Sequence, residues 1–558
     1  MAETIEMVAR KYAVKNAFEH EGKAQTGAVV GKVKALLPQT DLKKAMPKIN
    51  LIVQEINKMK KDLLEEEYKK FEAIGWELKA VEKEKVLPEL TWLKKGEKLI
   101  CRMAPNPSGA MHFGHARPAV LNDEYVKKYG GKLILRFDDT DPKVKTPVEG
   151  IEKEFIRDFK WLGIKFDEMY SSSDRLEYYY KVIEKLLKEG NAYVCFCESE
   201  KWRELIWKSK PCPCRKKSAK EQLVQWKKML KHEIKEGEAV VRIKTNLKNP
   251  DPSTRDWWIA KVVDTVNHTN KKVLDKHVWP SYNLASAIDD HEMNVNYVIR
   301  GQEHVTNGEK QKELFNLMGW KNFPHTDYLG KISKLGDMVL SKSKMKIIME
   351  KEHIARYDDP RMTTIMALRR RGFRAEAIRK IITDCGVSLK EVKITTENFA
   401  AANKEFLGEV NEYPFFEEAV QIEIYNMGFG ETESYGEKIN FKEPIIQLLV
   451  NKKEIVRHKA GEIIRLKKGF NLRLDEVTEF GAKGTFISYS QAKNPIVSWL
   501  KKENTIDAKL LMSDGTERIG LTSRQILKEK GIIHFEEIGY ANIEETKENT
   551  IHCVFAHG

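Results

Sequence analysis

The chain has 558 residues, 41% of them apolar and 32% charged, too many for one hydrophobic core and too apolar a mixture for a disordered chain. Lys and Arg number 97 against 83 Asp and Glu, a formal +14 that draws polyanions, although many ordinary enzymes are basic too and charge alone does not specify nucleic acid. No apolar targeting stretch follows MAETIEMVARKY and no apolar run reaches about 18 residues, so a cytoplasmic protein is expected, in which seven cysteines read as thiols or metal ligands rather than a disulfide framework.

Residues 1–90 form a Lys- and Glu-rich segment with helical periodicity, Ile49, Ile52, Val53 and Ile56 recurring at three- and four-residue spacing. Gly27, Gly31 and Pro38 are expected to break its first half into short helices. From Lys98 the texture alternates. The strand KLICRMA leads into the loop APNPSGAMHFG, then a helix, HARPAVLNDEYVKKYG, closed by Gly130, then the strand KLILRFDD. A further helix, DRLEYYYKVIEKLLKEG, carries Leu176, Tyr179, Tyr180, Ile183 and Leu187 on one face and stops at Gly190. Strand, helix, strand in this order implies a parallel sheet, with ligands beyond the carboxyl ends of its strands. This α/β layer spans 91–194, is interrupted by a basic, cysteine-bearing insertion at 195–278, and resumes over 279–345 with VWPSYNLASAIDDHEMNVNYVIRGQEH. Residues 346–414 read as helical. From 415 to 558 short β-branched runs (AVQIEIYN, EPIIQLLV, EIIRLKK, NLRLDEV, GTFISYS) predict an all-β barrel module, so the fold class is multidomain α/β plus β.

Three segments carry chemistry. In Pro105-Asn106-Pro107-Ser108-Gly109-Ala110-Met111-His112-Phe113-Gly114-His115, two histidines three apart open a helix whose free N–H groups and positive dipole end suit a phosphate; the plainer reading is a capping loop with incidental histidines. Gly114 between them leaves room for a flat group against the backbone. Met338-Val339-Leu340-Ser341-Lys342-Ser343-Lys344 is either a solvated charge run or a source of mobile point charge for a phosphate. Cys195, Cys197, Cys212 and Cys214 form C-x-C-x₁₄-C-x-C, a spacing tighter than usual for tetrahedral thiolate ligation of a structural Zn²⁺, the alternative being free cysteines in a basic loop. Cys101, Cys385 and Cys553 stand apart and read as packing or surface residues, and no P-loop occurs.

HFGH and LSKSK resemble the two signatures of class I aminoacyl-tRNA synthetases, written HIGH and KMSKS, departing at Phe113 for Ile and at Val339-Leu340 for Lys-Met, which removes one phosphate contact. Across roughly 98–407, RMAPNPSG, LRFDDTDP, YNLASAIDDH, VIRGQEH and DDPRMTTIMALRRRG resemble blocks shared by glutamyl- and glutaminyl-tRNA synthetases, and the all-β tail is similar to the archaeal and eukaryotic branch. The resemblance implies a Rossmann-like catalytic domain behind a helical N-terminal domain. It also implies an acceptor-end-binding insertion, a stem-contact helical region and anticodon-binding barrels. The implied reaction is ATP- and Mg²⁺-dependent activation of L-glutamate and its transfer to the terminal adenosine of tRNA(Glu), by a protein expected to be a monomer, with tRNA(Gln) an open second acceptor. By the same resemblance His112, His115 and Lys342 are catalytic; Pro105, Asn106, Pro107, Gly114, Ser341 and Lys342 hold ATP; Asp138 takes the α-ammonium group; and Arg102, Tyr282 and Arg300 surround the amino-acid side chain. Arg300 favours glutamate, because a guanidinium grips a carboxylate with two bonds and glutaminyl enzymes carry an uncharged residue at the matching position. A structural ion pair with Glu303 or Asp289 is the alternative role for Arg300. A glutaminyl enzyme, or a non-catalytic tRNA-binding protein on the same fold, is the alternative for the chain.

Overall fold

A computed structural model describes residues 4–20, 22–37, 41–74, 87–335, 342–491 and 493–558. The chain divides into two compact units, Met1–Val86 and Leu87–Gly558. Among its described residues the first contains four helices, α1 (Ile5–Glu19), α2 (Thr26–Leu36), α3 (Leu42–Asn57) and α4 (Lys61–Ile74). Val8, Val14, Val29, Val33 and the predicted Ile49, Ile52, Val53 and Ile56 form its core. Gly27 and Gly31 do not break the segment as expected; both lie inside α2. The break falls after α1, where Gly22 takes a φ of +85° that only glycine adopts without strain, and Asn57 holds the following turn through bonds to the Ala24 N–H and carbonyl at 2.6 and 3.1 Å. Pro38 lies outside the described residues.

In the second unit the alternation runs β1 (Leu99–Met103), α5 (Phe113–Tyr129), β2 (Gly131–Phe137), α6 (Ile151–Trp161), β3 (Glu168–Ser171) and α7 (Leu176–Lys188). Helix α5 ends where Gly130 takes a φ of +71°, and Gly131 brings β2 so close to β1 that an added Cβ would stand 1.9 Å from the Leu99 carbonyl oxygen. An antiparallel sheet follows, β4 (Ala192–Cys195), β5 (Val240–Ile243), β6 (Trp258–Val262) and β7 (Val278–Pro280), with α8 (Ser199–Trp207) and α9 (Ala219–Leu230) between its first two strands. The chain then returns through α10 (Tyr282–Glu292), β8 (Tyr297–Gly301), α11 (Val305–Met318) and β9 (His325–Leu329). The main sheet is parallel throughout, in the order β3-β2-β1-β8-β9. Strand order therefore reverses between β1 and β8, and a ligand crevice belongs beyond their carboxyl ends.

A short parallel pair, β10 (Ile332–Leu335) with β11 (Val392–Ile394), accompanies helices α12 (Lys342–Lys351), α13 (Ile365–Arg370), α14 (Ala375–Cys385) and α15 (Thr396–Glu405). Leu368 of α13 and Ile378 of α14 share one core with Phe113 of α5 and Leu133 of β2, so this helical region is built onto the main parallel sheet. Beyond it lie two β-structures. In the seven-stranded one, residues 496–500 pair with Ile463–Leu466 through their first half and with Ile446–Asn451 through their second, which closes the sheet on itself. In the six-stranded one, Glu412 and Tyr413 pair with Ile532–Phe535 at one edge while Phe416 bridges Leu521 at the other. Among the described residues no helix is long and apolar enough to cross a membrane.

Candidate active site

The loop leaving β1 is laced to the end of β2. Asp138 N–H donates to the Pro105 carbonyl at 3.0 Å, Asn106 Nδ2 donates to the Asp138 carbonyl at 2.8 Å, and the Pro107 carbonyl accepts from Val148 N–H at 3.0 Å. This fixes the start of α5. His112 is its N-cap: Nδ1 accepts from Gly114 N–H at 3.0 Å, and His115 Nδ1 reaches back to the His112 N–H at 3.4 Å. The two rings stack with centroids 3.9 Å apart, and His115 also meets the edge of Phe155. Both histidines thus do cap the helix, as the plainer reading held. With each Nδ1 accepting, a neutral imidazole carries its proton on Nε2, so capping leaves a defined donor atom on each ring.

Arg102 near the end of β1 and Arg300 near the end of β8 lie on adjacent strands at the reversal point, 4% and 6% exposed. Arg102 Nε donates to Asp290 at 3.2 Å, and Arg300 Nη1 donates to Gln311 Oε1 at 2.8 Å while its guanidinium lies 5.6 Å over the Tyr328 ring. No ion pair among the described residues joins Arg300 to a carboxylate, so the alternative pairing with Glu303 or Asp289 is not formed. Helix α11 approaches Arg300 through Gly308, where an added Cβ would stand 2.9 Å from Nη2 and 2.4 Å from the Tyr328 hydroxyl. Arg102 Nη2, Arg300 Nε and Gln311 Nε2 are buried without an acceptor. Buried donors of this kind call for a ligand with oxygen atoms.

Beside them Arg136, wholly buried, donates to Asp290 at 2.9 Å and to Ser286 at 3.1 Å and faces Asp138 at 3.4 Å and Asp289 at 3.7 Å; Asp289 in turn accepts from Arg175 at 2.7 Å and Tyr179 at 2.6 Å. Three arginines, 102, 136 and 175, thus meet three aspartates, 138, 289 and 290, while Arg300 meets no carboxylate among the described residues. Asp138 has only long contacts, whereas its neighbour Asp139 is pinned by Ser173 at 2.6 and 2.7 Å. Burial pushes the Asp138 carboxyl up to about 6 against the pull of Arg136 and Arg102. Tyr282, the first residue of α10, faces His304 with ring centroids 5.7 Å apart. Burial lowers the His304 imidazole below its ordinary range, and its Nδ1 pairs with Asn307 at 3.0 Å. His304, Gln311 and Tyr328 were not foreseen from sequence. The Arg136 cluster had a signal, since a charged residue in an apolar strand and a DD pair ending an apolar helix both require buried partners.

Met338, Val339, Leu340 and Ser341 lie outside the described residues, as does the side chain of Lys342, which begins α12. The four insertion cysteines converge: Cys195 Sγ is 3.8 Å from Cys212 Sγ, Cys197 Sγ is 3.8 Å from Cys214 Sγ, and all four sulfurs lie within 4.8 Å of one another. A tetrahedron with Zn–S of about 2.3 Å has sulfur edges of about 3.8 Å, so the donor set fits such an ion. The Cys195 S–H pulls the Cys212 thiol down to about 5, and Phe196 N–H donates to Cys214 Sγ at 3.5 Å.

Residues 98–409 match the family model described as tRNA synthetases class I (E and Q), catalytic domain. The chain is 40% identical to the glutamate–tRNA ligase of Thermococcus onnurineus (strain NA1), over 99% of this chain and 100% of that one, and 40% identical to that of Pyrococcus furiosus over the same shares. A solved glutamate tRNA ligase from Elizabethkingia meningosepticum CCUG26117 covers 56% of this chain and 70% of its own at 21% identity, with a TM-score of 0.41.

Proposed function

The chain belongs to the class I tRNA synthetases for glutamate and glutamine, and on that premise we propose that it is a glutamate–tRNA ligase, activating L-glutamate with ATP and passing it to tRNA(Glu). The observation that carries glutamate over glutamine is Arg300, a buried cation that has no carboxylate partner among the described residues, beside Arg102 at the strand reversal. A substrate carboxylate supplies the missing counter-charge and oxygen acceptors; an amide supplies oxygen without the charge.

In this reading Asp138 holds the α-ammonium group, Arg300 and Arg102 take the side-chain carboxylate, and Tyr282 walls the pocket. The α-carboxylate attacks the α-phosphorus of ATP and pyrophosphate leaves; a ribose hydroxyl of the terminal adenosine of the tRNA then takes the acyl group from the adenylate, and AMP leaves. The Nε2–H groups of His112 and His115, aimed by their capping bonds, donate to the phosphate as charge gathers on it, at the positive end of α5. Pro105, Asn106, Pro107 and Gly114 shape the nucleotide site, and Ser341 and Lys342 bring polar and positive groups to the leaving pyrophosphate. Mg²⁺ enters as the metal of ATP. Cys195, Cys197, Cys212 and Cys214 would hold a structural Zn²⁺, which would tie the end of β4 to the 212–214 segment. The barrels and the basic insertion serve tRNA.

Pyrophosphate exchange into ATP, run with added tRNA, tests the reading. Glutamate should drive exchange and glutamine should support far less. A preference for glutamine, or tRNA binding with no exchange for either, would hand the assignment to one of the alternatives. Charging of tRNA(Gln) with glutamate in a parallel assay decides the second acceptor.

A further inference from the structure

Helix α13 is six residues long, about 9 Å from end to end, and its ends are held by different parts of the chain. At the start, Thr364 forms an antiparallel bridge with His112, and Ile365 N–H donates to the Met111 carbonyl at 2.8 Å. Thr364 also caps the helix, accepting from Ala367 N–H at 3.1 Å. The backbone that carries His112 is therefore hydrogen-bonded to the first turn of α13, although 252 positions separate residues 112 and 364 in the chain.

At the other end, Arg370 grips Glu544 of the six-stranded barrel with two bonds, Nε at 2.6 Å and Nη2 at 3.0 Å, and the Arg370 carbonyl accepts from Asn542 Nδ2 at 2.8 Å. Both partners lie on one strand, Gly539–Lys547. The next residue, Arg371, donates to the carbonyls of Phe555 and Ala556 on the neighbouring strand at 3.1 and 2.6 Å. No slack lies between the two attachments, since residues 365–370 are continuously helical and Leu368 is packed in the same core as Phe113.

We propose that α13 transmits the position of the six-stranded barrel to His112, making Arg370 and Thr364 positioning residues for phosphate activation. The idea rests on the reading of His112 as a phosphate-binding group. A shift of the Gly539–Lys547 strand when tRNA engages the barrel moves Arg370, and a short, packed helix passes that shift to the bridge at Thr364 instead of absorbing it. The simpler role, an anchor that only holds the barrel in place, makes a different prediction about which rate changes.

Arg370→Ala and Glu544→Ala in the full chain separate the two roles, with the charge-reversed pair Arg370→Glu, Glu544→Arg as the rescue. Amide hydrogen exchange over 112–116 should speed up about tenfold in each single variant, while 131–137 in the same sheet stay unchanged. The kcat for aminoacylation should fall about ten- to a hundredfold, the scale expected of a small misplacement at the reacting centre, with KM for tRNA within about threefold. The reversed pair should recover both readouts in part, since a carboxylate at position 370 also faces Asp358, which lies 3.9 Å from Arg370. Unchanged exchange over 112–116, or a raised tRNA KM at full kcat, would reduce α13 to an anchor and overturn the proposal. If the parent protein shows no glutamate-dependent activity, the functional reading fails on its own, and the exchange over 112–116 still decides whether barrel and histidine are linked.

Discussion

Arg136 and Arg300 occupy comparable places, each buried near the carboxyl end of a strand in the same parallel sheet. Arg136 is surrounded by Asp138, Asp289 and Asp290 and by the Ser286 hydroxyl, whereas Arg300 has one neutral amide, an aromatic face and a buried Nε without an acceptor. Burying a charge without a counter-charge costs several kcal/mol, so a fold keeps one where something else completes it. The Arg136 cluster is therefore finished architecture. In the proposed reading the Arg300 pocket is a complement to an anion that none of the described residues supplies.

The widest test of that contrast is Arg300→Ala. If a substrate carboxylate is its counter-charge, truncation leaves that carboxylate buried and unpaired, a loss of about 3–5 kcal/mol. That is about a hundred- to several-thousandfold in kcat/KM for glutamate, while glutamine use falls far less, so the ratio between the two collapses. A ratio within a few-fold of the parent would make Arg300 architectural as well. Arg136→Met should do the reverse. It should cost about 3 kcal/mol of stability in denaturant melts, at the low end because Asp289 keeps Arg175 and Asp290 keeps Arg102, and leave the preference for glutamate intact. Loss of selectivity without loss of stability would erase the distinction.

Asp138 borders both regions and sharpens the comparison through pH. It must be ionised to hold an ammonium group, and its carboxyl sits at about 6 because burial opposes the charge. The kcat/KM for glutamate should therefore be flat above pH 6 and drop about tenfold per unit below it, since protonation removes the partner while glutamate itself keeps its charges between about pH 5 and 7. The break in kcat should lie lower, because bound ammonium favours the carboxylate. A kcat/KM flat down to pH 5 would place Asp138 in the architectural set. The mildest effect concerns the mirror case, thiolates that a cation completes. Purified protein should hold about one equivalent of zinc, and Cys212→Ser should release it and loosen the insertion while pyrophosphate exchange stays within a few-fold. Metal analysis finding none in protein kept from chelators would end that reading.

Much of this was legible along the chain. The alternation after Lys98, the stop at Gly130, the buried face of α7 and the five β-branched runs later found in the seven-stranded barrel all follow from local pattern. What escaped was set by distance or by doubled roles. Gly27 and Gly31 read as breaks because a glycine's intrinsic cost ignores the packing of Val29 and Val33 around it. Gln311, Tyr328 and Gly308 shape the Arg300 pocket from a helix and a strand that no spacing rule connects to it. The histidines cap a helix through Nδ1, which does not by itself exclude a phosphate contact through Nε2, so the two readings are not rivals.

The six-stranded barrel takes one strand pairing from residues 412–416 and the rest from residues beyond 504, with the whole seven-stranded barrel threaded between them. During synthesis, residues 419–500 can close as a contiguous module soon after they emerge. The six-stranded barrel cannot, because Thr550–His557 is an interior strand flanked on both sides, and its pairing with 505–511 is parallel. Its closure has the high contact order that makes folding slow. Arg370 and Arg371 therefore wait until residues 542–556 are made before their partners exist. A nascent chain has its catalytic sheet long before its barrel clamp, so the order of translation withholds the finished geometry until residues 539–557 have left the ribosome.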